Sequence, residues 1–190
     1  TALRVLELVP ASRVLTVIQE THATATSKQL ADVDPLLCKG IMKEPSGRNT
    51  LPAIAWAALE IVNRHPDAMI SVFPSDHRIT DVQAFKDCWE IAVETACKGF
   101  LVTFGIRPDS PETGYGYIKA GDPIPMGAYG VDRFVEKPTV ERAKEFVASG
   151  DYYWNSGMFV FQAALFLDEL KRHQPELEKS LRSLPPPGHA

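Results

Sequence analysis

The residues able to form a ligand site fall into four short stretches. The first is Met69-Ile-Ser-Val-Phe-Pro-Ser-Asp-His77, an apolar run that meets Pro74 and then turns polar. A buried strand accounts for the run, and proline, with no N–H to give the ladder, ends it. Ser75, Asp76 and His77 therefore land in a loop at a strand's carboxyl end, the edge where open α/β sheets bind their ligands. A carboxylate there can hold Mg²⁺ against a phosphate, because this hard cation takes one or two carboxylates and completes its shell with phosphate oxygens and water. The other reading of Asp76 is a turn cap. His77 is likewise either a ligand contact or a structural histidine.

The second stretch is Glu44-Pro-Ser-Gly-Arg-Asn-Thr50, a turn that runs into a helix. Gly47 lets the backbone approach a ligand, and Arg48, Asn49 and Thr50 set donors and acceptors at the helix start, which suits a phosphate or a nucleobase edge. A helix cap with a surface arginine reads the same letters. The third, Glu112-Thr-Gly-Tyr-Gly-Tyr117, offers bare backbone around Gly116 to a sugar or phosphate, or is a glycine bulge in a strand. The fourth is the pair Phe134-Val-Glu-Lys-Pro138 and Trp154-Asn-Ser-Gly-Met158. Glu136 can accept from hydroxyls, Lys137 can pair with a phosphate, and the amide of Asn155 can read a sugar hydroxyl. No serine or cysteine nucleophile motif, Walker loop or His-Glu-x-x-His pattern accompanies them, so nothing points to covalent catalysis.

The elements that must position these groups alternate. Strand patterns at 13–19, 41–43, 69–73 and 100–104 are interleaved with helix patterns at 22–30, 51–62 and 81–98, which favours parallel strands with helices between them. The 51–62 helix is apolar on nearly every side (Ile54, Trp56, Leu59, Ile61) and is expected to be deeply packed. Further strands are expected at 115–119, 129–136 and 154–161. A helix from Thr139 as cap to Ser149, stopped by Gly150, and helices at 163–173 and 175–184 complete the set. Residues 1–184 thus read as one partial domain and Pro185-Pro-Pro-Gly-His-Ala190 as a tail or linker.

With 190 residues, 45% hydrophobic and 23% charged, the chain can bury a real core. A formal net charge of −4 lacks the basic excess that nucleic-acid binding calls for. Cys38, Cys88 and Cys97 are odd in number and have no metal-type spacing, which suits free thiols in a reducing compartment and hence the cytoplasm. No apolar run reaches membrane-spanning length. The opening residues read as the middle of a helix, so Thr1 is expected to be an internal cut in a longer protein.

Taken in order, Glu-Pro-Ser-Gly-Arg-Asn-Thr-Leu-Pro-Ala at 44–53, Phe-Pro-Ser-Asp-His at 73–77, Pro-Glu-Thr-Gly-Tyr-Gly-Tyr-Ile at 111–118, Phe-Val-Glu-Lys-Pro at 134–138 and Tyr-Trp-Asn-Ser-Gly-Met-Phe at 153–159 resemble the mannose-1-phosphate guanylyltransferases, or GDP-mannose pyrophosphorylases, among the sugar-nucleotidyltransferases. The resemblance implies a Rossmann-like three-layer α/β/α sandwich with a mixed, mostly parallel sheet, incomplete at both ends. It implies transfer of GMP from GTP to mannose 1-phosphate, giving GDP-mannose and pyrophosphate with Mg²⁺ assistance. On this resemblance Glu44, Arg48, Asn49 and Thr50 bind the nucleotide, and Asp76 holds the metal. Gly116, Glu136, Lys137 and Asn155 hold the sugar phosphate, with Asp76 and Lys137 as the catalytic pair. The family's Gly-rich phosphate signature would precede Thr1 and its second metal-binding aspartate would follow Ala190. The 190 residues alone are therefore expected to have little activity and, with a central strand missing, to associate into homo-oligomers. The competing readings are a nucleotidyltransferase for another sugar 1-phosphate and a non-catalytic sugar-nucleotide-binding module.

Overall fold

A computed structural model describes residues 1–44 and 46–184, so Pro45 and the expected tail at 185–190 lie outside the described residues. In chain order the elements are α1 (Ala2–Leu6), β1 (Thr16–Gln19), α2 (Ala23–Ala31), β2 (Ile41–Glu44), α3 (Thr50–Arg64), β3 (Met69–Val72) and α4 (Val82–Ala96). Then come β4 (Val102–Ile106), β5 (Tyr117–Ile124), β6 (Ala128–Val135), α5 (Val140–Ser149), β7 (Tyr152–Gln162), α6 (Ala163–His173) and α7 (Pro175–Arg182). They divide between two compact units. One comprises Thr1–Ile70, Ser75–Lys86 and the chain from Gln162 on; the other comprises Ser71–Pro74 and Asp87–Phe161.

In the first unit β1 and β2 run parallel, from Thr16 opposite Ile41 to Gln19 opposite Glu44. Parallel neighbours need a crossover, and α2 supplies it. The alanine-rich α3, with Pro52 in its first turn where no N–H partner is lost, packs on α6 and α7. Ala55, Ala58 and Leu59 form its buried stripe. The expectation of deep packing holds for one side only: Ile54, Trp56 and Ile61 are half-buried and Leu51 is exposed, because a helix packed against its neighbours along one side keeps the opposite side in solvent. The short α1 is joined to the 75–86 segment by Thr1, Arg4 and a Glu7–Lys86 ion pair of 2.8 Å.

The second unit carries a sheet of order β3-β7-β5-β6, in which β4 also pairs with β7 and β3 contributes its Ser71–Val72 end. Here β4–β7, β5–β6 and β5–β7 are all antiparallel. Antiparallel pairing thus has a larger share than the alternation of the first half suggests. The reason is local: β5 and β6 are joined by the tight turn Pro125–Gly127, with Met126 at φ 76° and Gly127 at φ 83°, and a link this short permits only antiparallel return. Tyr117, Ala143, Phe146 and Tyr152 make the core under this sheet, with Val135 and Trp154 against it. Phe146 stacks on Tyr152 at 3.9 Å between ring centroids. The helix that supplies Phe146 has the expected punctuation: Thr139 Oγ1 accepts from the Arg142 N–H, and Gly150 leaves the helix at φ 77°. Five strand starts differ from expectation: β1 begins at Thr16 rather than 13, β5 at Tyr117 rather than 115 and β6 at Ala128 rather than 129, and the other two have a visible cause. β4 begins at Val102 because Phe100 and Leu101 are exposed, and β7 begins at Tyr152, two residues early, because Tyr152 already pairs with Lys119.

Candidate functional site

In the first unit the parallel β1–β2 pair ends with Gln19 beside Glu44, and the chain then turns toward α3. Gly47 sits against the Gln19 amide, with Glu44 Oε1 3.7 Å from where a Cβ would stand, so a side chain here would push the Gln19 amide aside. Arg48 Nε donates to Ser46 Oγ at 3.4 Å and the guanidinium is otherwise exposed. Asn49 occupies the N-cap position of α3 at φ 70°, ψ 179°, and its side chain makes no capping bond. A non-glycine residue at positive φ is strained, and such strain persists where the surroundings hold it. Arg48, Asn49 and Thr50 are all exposed. The helix-cap reading therefore fails for the Asn49 side chain, which stays available to a ligand.

Asp76 is also exposed, and no hydrogen bond or ion pair reaches its carboxylate among the described residues. The turn-cap reading belongs instead to Asp81, whose Oδ1 accepts from the Ala84 N–H at 2.9 Å as α4 begins. The loop around Asp76 is held through its backbone. Thr1 Oγ1 donates to the Ser75 carbonyl at 2.9 Å and Arg4 Nη1 donates to the His77 carbonyl at 3.2 Å. Among the described residues no cluster of three or more His, Cys, Asp or Glu could enclose a metal. Asp76 fits Mg²⁺ as a single oxygen donor that shares the ion with phosphate oxygens, the usual arrangement for this cation.

In the second unit Gly116, Glu136, Lys137 and Asn155 come together. The Asn155 N–H donates to the Gly116 carbonyl at 2.8 Å. Glu136 lies over Gly116: a Cβ there would be 2.8 Å from both Glu136 Oε2 and Phe134 Cζ. Lys137 Nζ is 3.9 Å from Glu136 Oε1, with both side chains more than half exposed. A pair this open is worth about 0–1 kcal/mol and gives way easily to a ligand. Lys137, like Asn49, has positive φ, here 43°. Asn155 Oδ1 accepts from Thr103 Oγ1 at 3.2 Å and from the Gly157 N–H at 3.3 Å. With its oxygen so engaged, the amide presents its NH₂ as the available donor.

Three residues to which the sequence reading gave no role lie in this group. Tyr115 meets Trp154 edge to face at 5.3 Å, and Trp154 Nε1 is buried without a hydrogen-bond partner among the described residues. Both flank residues already singled out, so their adjacency to Gly116 and Asn155 was the available signal. Thr103 lies 52 positions from Asn155 and carried none.

This is an α/β chain that presents charged and amide groups at three places: the turn at 46–50, the loop around Asp76, and the strand ends that bring Gly116, Glu136, Lys137 and Asn155 together. The chain belongs to the nucleotidyl transferase family, whose sequence profile matches residues 2–186. It is 46% identical over 182 residues to the mannose-1-phosphate guanylyltransferase ManC of Salmonella typhimurium, covering 90% of this chain and 38% of that protein. It is 48% identical over 163 residues to the xanthan biosynthesis protein XanB of Xanthomonas campestris, covering 86% and 34%. The crystal structure of mannose-6-phosphate isomerase from Helicobacter pylori superposes with a TM-score of 0.83 at 40% identity, over 94% of this chain and 66% of that one. The chain therefore has the Rossmann-like mixed α/β fold of nucleotide-sugar transferases, and it spans about a third of the length of the two curated relatives. Among the described residues no helix is long and apolar enough to cross a membrane.

Proposed function

We propose that the protein carrying this chain transfers GMP from GTP to mannose 1-phosphate, with GDP-mannose and pyrophosphate as products. The observation that carries the reading is the convergence of Gly116, Glu136, Lys137 and Asn155 in a family member 46% identical to a mannose-1-phosphate guanylyltransferase. Glu136 accepts from sugar hydroxyls and the Asn155 amide donates to one. Lys137 pairs with the sugar phosphate, and Gly116 keeps the floor of the site bare. Arg48, Asn49 and Thr50, with Glu44 behind them, take the nucleotide. A phosphate oxygen of mannose 1-phosphate forms a bond to the α-phosphorus of GTP while the bond from that phosphorus to the bridging oxygen breaks. Pyrophosphate leaves with the electron pair, and no proton transfer is required. The residues of this chain contribute alignment and charge neutralisation, which suffice for phosphoryl-type transfer. Mg²⁺, held in part by Asp76, would supply further neutralisation of phosphate charge.

The test is to incubate the purified full-length protein with Mg²⁺, GTP and mannose 1-phosphate and to measure GDP-mannose and pyrophosphate. ATP, dTTP and glucose 1-phosphate serve as alternative substrates, and mannose 6-phosphate as an isomerase arm. Preference for another pair would reassign the substrate. Binding of GDP-mannose without metal and without turnover would make the protein a binding module. We further propose a homo-oligomer working in the cytoplasm, which light scattering and cell fractionation would test.

A further inference from the structure

We infer that Arg4 is a positioning residue for Asp76: it fixes the loop backbone on which the metal-binding carboxylate stands. The inference rests on the reading of Asp76 given above. Its starting point is an inversion in α1, where Leu3 is 71% exposed while Arg4 is only 9% exposed. Burial of a guanidinium is costly, and the cost is visible in a pKa pushed below the usual arginine value by desolvation. No carboxylate offsets it, since no ion pair to Arg4 is formed among the described residues and its Nε is buried without a partner. What the guanidinium does reach is the Asp76 loop. Nη1 donates to the His77 carbonyl at 3.2 Å; Nη2 donates to Thr1 Oγ1 at 3.3 Å, and that hydroxyl donates onward to the Ser75 carbonyl at 2.9 Å. The carbonyls on both sides of Asp76 are thus held by one buried cation, directly and through one hydroxyl. The Phe85 ring lies 5.2 Å from the guanidinium carbon and closes the other face.

Stability alone does not account for an arginine here. A methionine of similar length could pack on Phe85 without desolvation cost, and exchange of an unpaired buried charge for an apolar group is often neutral or stabilising. Among the described residues the carboxylate of Asp76 has no side-chain partner of its own, so its direction depends on the two carbonyls that Arg4 and Thr1 hold. Groups that orient a ligand in this way typically change metal affinity or activity by about 10–100-fold when removed.

The experiment compares the full-length protein with Arg4→Met, Arg4→Lys, Thr1→Val and Asp76→Asn. It reads the Mg²⁺ concentration for half-maximal turnover, the KM for mannose 1-phosphate, the Kd for GTP with Mg²⁺ by calorimetry, hydrogen exchange of the 75–78 amides, and Tm. We expect Arg4→Met to raise the Mg²⁺ requirement about tenfold, in line with the loss of an orienting group. The 75–78 amides should exchange faster, while Tm is kept or raised and the sugar-phosphate KM stays within about twofold, since that side is untouched. Arg4→Lys should restore part of the Mg²⁺ response, and Thr1→Val should move it the same way by less. An Asp76→Asn shift without any shift in Arg4→Met or Thr1→Val overturns the inference and leaves the Asp76 reading standing. A normal Mg²⁺ response in Asp76→Asn removes both. Were Arg4→Met to unfold, Thr1→Val with a normal response would by itself overturn the role given to Arg4.

Discussion

In the second unit Gly116, Glu136 and Asn155 sit at the start of β5, the end of β6 and within β7, strands that are hydrogen-bonded to one another. In the first unit Arg48, Asn49 and Asp76 stand on loops, exposed, with few bonds to the rest of the chain. On the proposed roles, the difference matches what each place would meet. A sheet fixes the direction of a side chain to a fraction of an ångström, which reading a sugar hydroxyl demands. A phosphate presents charge on several oxygens, so groups anchored only through the backbone can still meet it. The loop group nevertheless has its own anchors, the strained Asn49 backbone and the two carbonyls beside Asp76.

Four changes would break or sharpen this comparison. The largest effect should come from Phe146→Ala, which removes the ring stacked on Tyr152 under the second sheet and should cost about 3–5 kcal/mol in denaturant unfolding. A loss under 1 kcal/mol would mean that the sheet platform is not held from below. Asp76→Asn should lower turnover by about 100-fold, some 2.7 kcal/mol, with almost no change in Tm because the exposed carboxylate bonds to no other group among the described residues. Undiminished GDP-mannose synthesis would remove Asp76 from the site. Gly116→Ala places a methyl 2.8 Å from Glu136 and Phe134 and should raise the KM for mannose 1-phosphate about tenfold, leaving that for GTP within about twofold. Equal change in both would erase the division of labour between the two places.

The smallest effect is a pH response. Lys119 bonds Asp132 at 3.2 Å and lies 3.9 Å from Asp151, and its pKa is raised, first by the hydrogen bond to Asp132 and then by the charge of that carboxylate. A raised folded pKa means that the stabilisation is complete below the ordinary lysine value and is lost as pH rises through the folded one. The Tm difference between wild type and Lys119→Met should therefore be small and constant through neutral pH, and vanish only in strongly alkaline solution. A difference that disappears near neutrality would contradict this.

The chain order of amino acids was enough to set several signals carried within a few residues. Thr139 and Gly150 marked both ends of α5, Ala163 and His173 bounded α6, and Pro74 ended an apolar run just before Asp76. The groups of the candidate site were legible for the same reason, since charge, amide and glycine are properties of single residues. Tertiary structure alone decided which of them meet. It brought Gly116 under Glu136, set Thr103 on an amide 52 positions away, turned Arg4 inward onto a carbonyl 73 positions away, and left Ile54 and Trp56 of α3 half-buried. Local propensity reaches about one turn of chain, whereas these contacts depend on how distant strands and helices close a core, a choice made by the free energy of the whole packed arrangement.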